Sequence, residues 1–112
     1  MNITEKTLED AILAFTIGEH DDALKILNRL SSVNANSVDV WRALAEVQLS
    51  AENLDEAEYA CKKALDLQPE DLTSMVSLAR ILVKKGDKEG AESASAKARL
   101  LGWKEELADE ID

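Results

Sequence analysis

Two side chains are the first candidates for chemistry, because the sequence contains a single histidine, His20, and a single cysteine, Cys61. His20 lies among carboxylates in the segment 18–22, where it could serve as a base or a metal ligand. A zinc site needs several histidine or cysteine ligands, however, and a reactive thiol needs a base beside it. We therefore expect His20 to be a solvated turn residue and Cys61 to pack in the core.

The remaining polar motifs do not complete a catalytic or cofactor site. Gly86 and Gly90 lack the residues that must follow in a phosphate-binding loop. The carboxylates do not reproduce the spacing of a calcium loop. The sequence therefore predicts no metal, no cofactor and no enzyme.

The charge of the chain is strongly acidic but unevenly distributed. A net charge of −10 repels a phosphate backbone, so we expect no nucleic-acid partner. Residues 38–71 carry nine acidic and three basic side chains, whereas residues 72–105 carry seven basic and four acidic ones. The basic third part could receive an acidic partner even though the whole molecule is acidic.

The sequence shows no signal for a membrane or for an oxidising compartment. Residues 1–10 are polar and charged, unlike a signal peptide, and no apolar run reaches membrane-spanning length. One cysteine cannot form an internal disulfide, which is compatible with reducing surroundings. We expect one soluble, cytoplasmic domain over 1–112, with no membrane partner.

A period of 34 residues organises most of the chain. Alanine recurs at that step in two series, and small, acidic and aliphatic positions keep the same phase. The positions in phase include Ala11, Ala45 and Ala79; Ala23, Ala57 and Ala91; Gly18, Glu52 and Gly86; and Leu13, Val47 and Ile81. Several residue classes in one phase indicate internal repeats, which we place at about 4–37, 38–71 and 72–105.

Each repeat contains two apolar stripes with helical spacing, separated by a polar break. The predicted helices cover about 5–17, 21–32, 38–51, 55–67, 72–85 and 88–101. Ser37 and Asp71 can cap the helices that follow them, and Glu19 and Asn53 begin sequences that resemble capping boxes. The predicted fold class is therefore all-α.

The second repeat resembles the tetratricopeptide pattern, W-x2-L-G-x2-Y followed by A-x3-F, A and P. Its matching positions are Trp41, Leu44, Ala45, Ala57, Cys61, Ala64 and Pro69, with Gln48 where tyrosine is expected. The third repeat keeps Met75, Leu78, Ala79, Gly86, Ala91 and Ala98, and the first keeps Ala11, Gly18, Ala23, Leu27 and Leu30. Thr7 and Asp10 depart from the pattern. The resemblance implies an α-solenoid of three helix-turn-helix repeats that binds other proteins.

Three glycines mark predicted helix ends. Gly18 and Gly86 stand where a helix ends in a left-handed residue, and Gly102 is expected to end the last repeat. Beyond it an apolar residue recurs at every fourth position, at Trp103, Leu107 and Ile111. We expect a C-terminal capping helix over about 103–111, with an apolar face on the solenoid and a polar face in water. The alternative is a docking helix for a partner or for a second copy of the chain.

Tetratricopeptide proteins typically line a concave groove with the first helix of each pair, and the groove accepts peptides or helices. By that resemblance the lining here is Glu5, Leu8, Glu9, Ile12 and Thr16; Asp39, Arg42, Ala43, Glu46 and Ser50; and Thr73, Val76, Ser77, Arg80 and Lys84. Leu8, Ile12 and Val76 could grip apolar side chains of a ligand. Arg42, Arg80 and Lys84 could pair with its carboxylates. Binding through the convex face or the tail is the alternative.

One ligand class of the family is not implied. Some members bind acidic chaperone tails through a clamp of lysine, asparagine and arginine side chains. The matching positions here hold Leu8, Ile12, Ala43, Thr73 and Ser77. We expect an adaptor or co-chaperone-like module for a protein or peptide partner, present as a monomer or weak homodimer. The alternatives are a small secretion-type chaperone for a hydrophobic client and a structural self-assembly unit.

Overall fold

The computed structural model describes residues 6–111 and contains six helices and, within those residues, no strand. The helices are α1 (Leu8–Thr16), α2 (His20–Val33), α3 (Val38–Ser50), α4 (Leu54–Leu67), α5 (Leu72–Lys85) and α6 (Lys88–Ile111). The predicted all-α fold is confirmed, with one helix pair in each expected unit. Residues 4 and 5, which open the first expected unit, lie outside the described residues. So do the predicted groove residue Glu5 and the side chain of Ile111.

Short polar side chains begin the first helix of each pair. Ser37 and Asp71 accept hydrogen bonds from backbone N–H groups in the first turns of α3 and α5, as predicted. Thr7 forms a capping box with Asp10, in which each side chain accepts a hydrogen bond from the other residue's backbone N–H. Helix α1 therefore begins at Leu8, and the two residues that depart from the repeat pattern serve as its cap.

The capping predicted at Glu19 and Asn53 is wrong. Both residues precede a helix, but neither makes a side-chain capping bond. Their ψ angles are 70° and 76°, whereas the three capping residues are more extended, with ψ of 104° or more. The Asn53 amide instead donates to Oε1 of Gln48 over 2.8 Å. The turn within the first two pairs is therefore closed by backbone geometry rather than by a side-chain cap, whereas in the third pair the Asp87 carboxylate accepts a hydrogen bond from the Gly90 backbone N–H over 2.9 Å.

One residue in the turn after the first helix of each pair adopts the left-handed backbone conformation. Gly18 and Gly86 have φ of +88° and +80°, as predicted, and Glu52 at the equivalent position has φ of +62°. A side chain with a Cβ atom strains this conformation. The middle repeat therefore has a strained turn where its neighbours have glycine.

Small side chains bring the helices of each pair close together. All six alanines of the two in-phase series are buried. Larger apolar residues fill the space between pairs, and Leu27, Ile81 and Cys61 are the largest fully buried side chains. Because the core is continuous from α1 to α5, each pair buries part of its apolar surface against its neighbour.

The helices form two layers. The backbones of α1 and α3, and of α3 and α5, approach each other closely, whereas among the described residues no Cα atoms of α2, α4 and α6 lie within 8 Å of one another. The first helices of the pairs are therefore packed more closely than the second helices. This arrangement makes the layer of α1, α3 and α5 the inner, concave side of the solenoid.

The predicted break at Gly102 is wrong, and no separate capping helix forms over 103–111. Helix α6 runs without interruption through Gly102 to its end at Ile111. One glycine costs a helix roughly 1 kcal/mol, which the leucine, lysine, glutamate and alanine residues around it offset. Trp103 and Leu107 are exposed rather than packed on the solenoid. None of the described helices is apolar over a length that would span a bilayer.

Candidate partner-binding groove

The inner layer presents a mixed apolar and charged surface. Ile12 on α1 and Val76 on α5 are exposed, so both can contact a ligand. Leu8, predicted beside them, is half-buried and packs against the core. The groove therefore offers two of the three predicted apolar contacts at its surface.

A pocket of about 260 Å³ opens between α1 and α3. Its walls are formed by Ala11, Ile12, Phe15, Leu27, Arg42, Ala43, Glu46 and Val47. The walls are apolar because Arg42 and Glu46 contribute only their carbon atoms. This volume is below the range of typical small-molecule sites and suits a single apolar side chain. Phe15 was not among the predicted lining residues, although its position three residues after Ile12 places both on one helical face.

Arg42 is held by other side chains of the protein rather than left free for a ligand. Its Nε and Nη2 atoms donate to the two carboxylate oxygens of Asp71 over 2.8 and 2.7 Å. Nη1 donates to Asp39 over 2.9 Å, and Nη2 also reaches the Gln68 amide oxygen at 3.2 Å. A bidentate pair of this kind fixes both planar groups. Arg42 therefore ties α3 to the turn before α5, and only its carbon atoms line the groove pocket.

Asp71, the carboxylate that pairs with Arg42, is buried within the same hydrogen-bond network. Burial alone raises the pKa of a carboxyl, but hydrogen bonds from Arg42 and Ser74 outweigh it and hold the pKa of Asp71 below its ordinary value. Ser74 contributes both its backbone N–H and its hydroxyl. The Asp71 side chain is thus ionised while it caps α5 and binds Arg42.

Two other predicted cations keep looser contacts. Arg80 lies 3.4 Å from Glu46, whose carboxylate also accepts a hydrogen bond from the Ser77 hydroxyl over 2.8 Å. Lys84 lies 3.7 Å from Glu52, and both members of that pair are exposed. Exposed pairs of this kind contribute little to stability and exchange readily. Arg80 and Lys84 are therefore the basic side chains of this surface that remain able to bind a carboxylate.

The residues that first suggested chemistry serve structural roles. Cys61 is buried and its thiol donates to the Ser74 carbonyl oxygen over 2.9 Å, and burial raises its pKa to about 12. His20 is not a solvated turn residue as predicted: it begins α2 and packs its ring 5.2 Å from that of Phe15. Within residues 6–111 no group of acidic, histidine or cysteine side chains has a metal-binding arrangement.

Two family profiles match the chain, both described as tetratricopeptide repeat. One covers residues 8–71 and the other residues 48–101, so together they span α1 to α5 and the first part of α6. No curated protein sequence matches.

Several solved structures share the fold. MamA from Desulfovibrio magneticus is 22% identical with a TM-score of 0.82, covering 86% of this chain and 54% of the MamA chain. The type III secretion translocator chaperone SycD from Yersinia enterocolitica is 18% identical, with a TM-score of 0.81 and coverage of 93% and 82%. A chain of the CopN–Scc3 complex is 17% identical, with a TM-score of 0.81 and coverage of 94% and 66%. The chain spans about half the length of the first MamA chains it matches.

Proposed function

Because the chain belongs to the tetratricopeptide repeat family, we propose that it binds a peptide or helical segment of a partner protein in its concave groove. It acts in this proposal as an adaptor or co-chaperone-like module and not as an enzyme. The proposed location is the cytoplasm, with which the free, buried thiol of Cys61 is compatible.

The observation that carries the proposal is an apolar pocket beside a basic surface on the same inner layer. The pocket next to Ile12 accepts one apolar side chain, and Val76 extends the apolar surface onto α5. Arg80 and Lys84 follow on that helix with weak intramolecular pairing. The ligand we propose therefore carries an apolar anchor residue, with one or more carboxylates further along the segment.

The test begins with peptides selected from a random library for binding to the wild-type chain. We expect the selected peptides to combine leucine or phenylalanine with aspartate or glutamate. Fluorescence anisotropy then compares one labelled peptide with wild type and with the double variant Arg80→Glu and Lys84→Glu. Reversal of both charges should weaken binding about tenfold, which equals about 1.4 kcal/mol.

A matched control reverses two exposed cations on the outer helices, Lys25→Glu on α2 and Lys97→Glu on α6. It changes the net charge by the same amount but leaves the inner layer intact, so affinity should stay within about twofold of wild type. Equal weakening by both double variants would show a general charge effect. Unchanged binding to the groove variant would exclude the groove.

A second candidate is a chaperone for a hydrophobic client segment. The similarity in fold to the secretion chaperone SycD, of which 82% is covered, supports it together with the apolar pocket. In that case Ile12→Lys should abolish binding while the reversal at Arg80 and Lys84 leaves it unchanged. The adaptor function predicts that both changes weaken binding.

A further inference from the structure

Neighbouring repeats pack on each other at two places inside the chain. The first repeat has one of the two packing surfaces without a partner, and the last repeat has the other. Leu13 on α1 is 61% exposed, whereas Val47 and Ile81 at the equivalent positions are 2% and 0% exposed. Ile17 is 62% exposed on the same surface. The preceding repeat covers Val47 in the second unit and Ile81 in the third, so the first unit has an open stacking surface around Leu13.

We define the N-terminal end face by a pocket of about 360 Å³. Its apolar residues are Leu13, Ala14, Ile17 and Ile26, and its polar residues are Lys6, Asp10, Glu19 and Asp22. Three of the four polar residues are acidic. The face therefore combines an apolar centre with a negatively charged edge.

The C-terminal end face is defined by a second pocket, of about 430 Å³. Its residues are Val83, Gly86, Lys88, Ala91, Glu92, Ser95 and Arg99. Val83 is 66% exposed, whereas Leu49 at the equivalent position of the second unit is 4% exposed because α5 covers that surface. The face therefore has one open apolar residue with two cations and one acid around it.

The two faces are complementary in charge. The first unit, residues 1–37, carries six acidic and three basic side chains, opposite in sign to the third unit, residues 72–105, with seven basic and four acidic ones. The internal contact between Glu46 and Ser77 gives the register of one specific pair. The residue of the third unit equivalent to Glu46 is Arg80. The residue of the first unit equivalent to Ser77 is Glu9, which belongs to another copy of the chain in this comparison. The repeat geometry thus places an arginine opposite a glutamate.

We propose that the N-terminal end face of one copy stacks on the C-terminal end face of a second copy, in the geometry that joins the repeats within the chain. The two surfaces differ, so the association is heterologous and can continue beyond a dimer. The internal salt bridges of Lys85 with Asp55 and Glu58 have no counterpart there, because Ile17 stands at the position of Lys85. The association is therefore weaker than the internal packing and depends on concentration.

The decisive experiment uses two variants that each block one face. Leu13→Asp with Ile17→Asp blocks the N-terminal face, and Val83→Asp with Arg99→Asp blocks the C-terminal face. Sedimentation velocity over a concentration series should show wild type growing beyond a dimer, while each blocked variant stays monomeric. An equimolar mixture of the two variants should form a 1:1 dimer and grow no further, because one intact face of each kind remains.

A control variant changes another exposed apolar surface. Leu100→Asp with Leu107→Asp changes side chains of similar exposure on α6, 61% and 59%, outside both end faces. These changes should leave the association intact. A wild type that stays monomeric at every concentration, a mixture that stays monomeric, or association lost only in the α6 variant would each overturn the proposal.

A second measurement does not depend on the blocked variants being folded. Glu9→Cys combined with Arg80→Cys places two thiols at the proposed contact between copies, while the native Cys61 remains buried. Mild oxidation should give a ladder of disulfide-linked oligomers, whereas either substitution alone should give at most a dimer. Absence of a ladder from a sample that sediments as an oligomer would exclude this register.

Discussion

The contact between Arg42 and Asp71 should be the largest single polar contribution to the stability of this chain. The Asp71 side chain is 8% exposed, caps α5 and accepts both hydrogen bonds of the Arg42 fork. We expect Asp71→Ala, Arg42→Ala and the double variant all to lower the free energy of unfolding. The three changes together separate the contact from the other roles of each residue.

The magnitude follows from what each substitution leaves behind. Loss of Asp71 removes a helix cap, worth about 1 kcal/mol, and a charge-assisted hydrogen-bonded pair, worth about 1.5–3 kcal/mol. Arg42 is about one-third exposed, so water and Asp39 partly compensate it, and the total loss should be about 2–4 kcal/mol. Loss of Arg42 leaves the buried carboxylate with Ser74 as its remaining donor and should cost about 2–3 kcal/mol.

Urea denaturation monitored by circular dichroism measures all four proteins. The double variant should be more stable than the sum of the single losses predicts, with a coupling energy of about 1–2 kcal/mol. The pair Lys104 and Glu70, exposed on both sides and 2.6 Å apart, serves as a control with expected coupling below about 0.5 kcal/mol. Coupling as small at Arg42 and Asp71 as in this control would refute the reasoning.

Three further results are expected. Glu52→Gly should stabilise the chain by about 0.5–1 kcal/mol because glycine removes the strain of a side chain in the left-handed conformation. Gly86→Glu should introduce that strain and destabilise the chain by about 1 kcal/mol, and urea denaturation measures both changes. Since the folded pKa of Asp71 lies below its unfolded value, its stabilisation is complete above about pH 4 and is lost as the pH falls through the folded pKa. Asp71→Asn should therefore flatten the loss of thermal stability below about pH 4, and an unchanged slope would contradict this. Cys61, with a pKa of about 12, should resist a thiol reagent at pH 8 in the native chain and react rapidly in denaturant.

The period of the sequence was sufficient to predict the helices. The in-phase alanines are small because two helix backbones approach there, so their spacing reports packing directly. The first helix begins three residues later than expected because Thr7 and Asp10 form a cap that overrides the apolar pattern. Local hydrogen bonding therefore corrects a boundary that periodicity alone places only approximately.

The continuous α6 shows where local rules failed. A glycine ends a helix when the chain needs a left-handed turn, and at Gly18 and Gly86 a second helix must fold back directly. No such return follows Gly102, so the residues around it extend the helix. Glycine therefore ends a helix at two positions and lies inside a helix at the third. The difference depends on whether a following helix must pack back on the first one rather than on the neighbouring sequence.

The candidate groove was predictable as a surface but not as a set of available side chains. Periodicity places Arg42, Arg80 and Lys84 on first helices and hence on the inner layer. It contains no information about Asp71, which lies 29 residues from Arg42 and meets it only after α3 and α5 pack. The pocket that includes Phe15 likewise arises from the spacing of two helices, which no single stripe specifies.

The three cations have different roles because they lie at different places along their helices. Arg42 is near the start of α3, beside the turn before α5, where the capping carboxylate of Asp71 neutralises it. Arg80 and Lys84 lie in the second half of α5, where their partners are the half-buried Glu46 on α3 and the exposed Glu52 in the turn after α3. A ligand carboxylate can displace an exposed glutamate at small cost, whereas displacing Asp71 would also uncap α5. Ligand selectivity by charge should therefore reside in α5, and Arg42 should influence binding only through the stability of the repeat that carries the pocket.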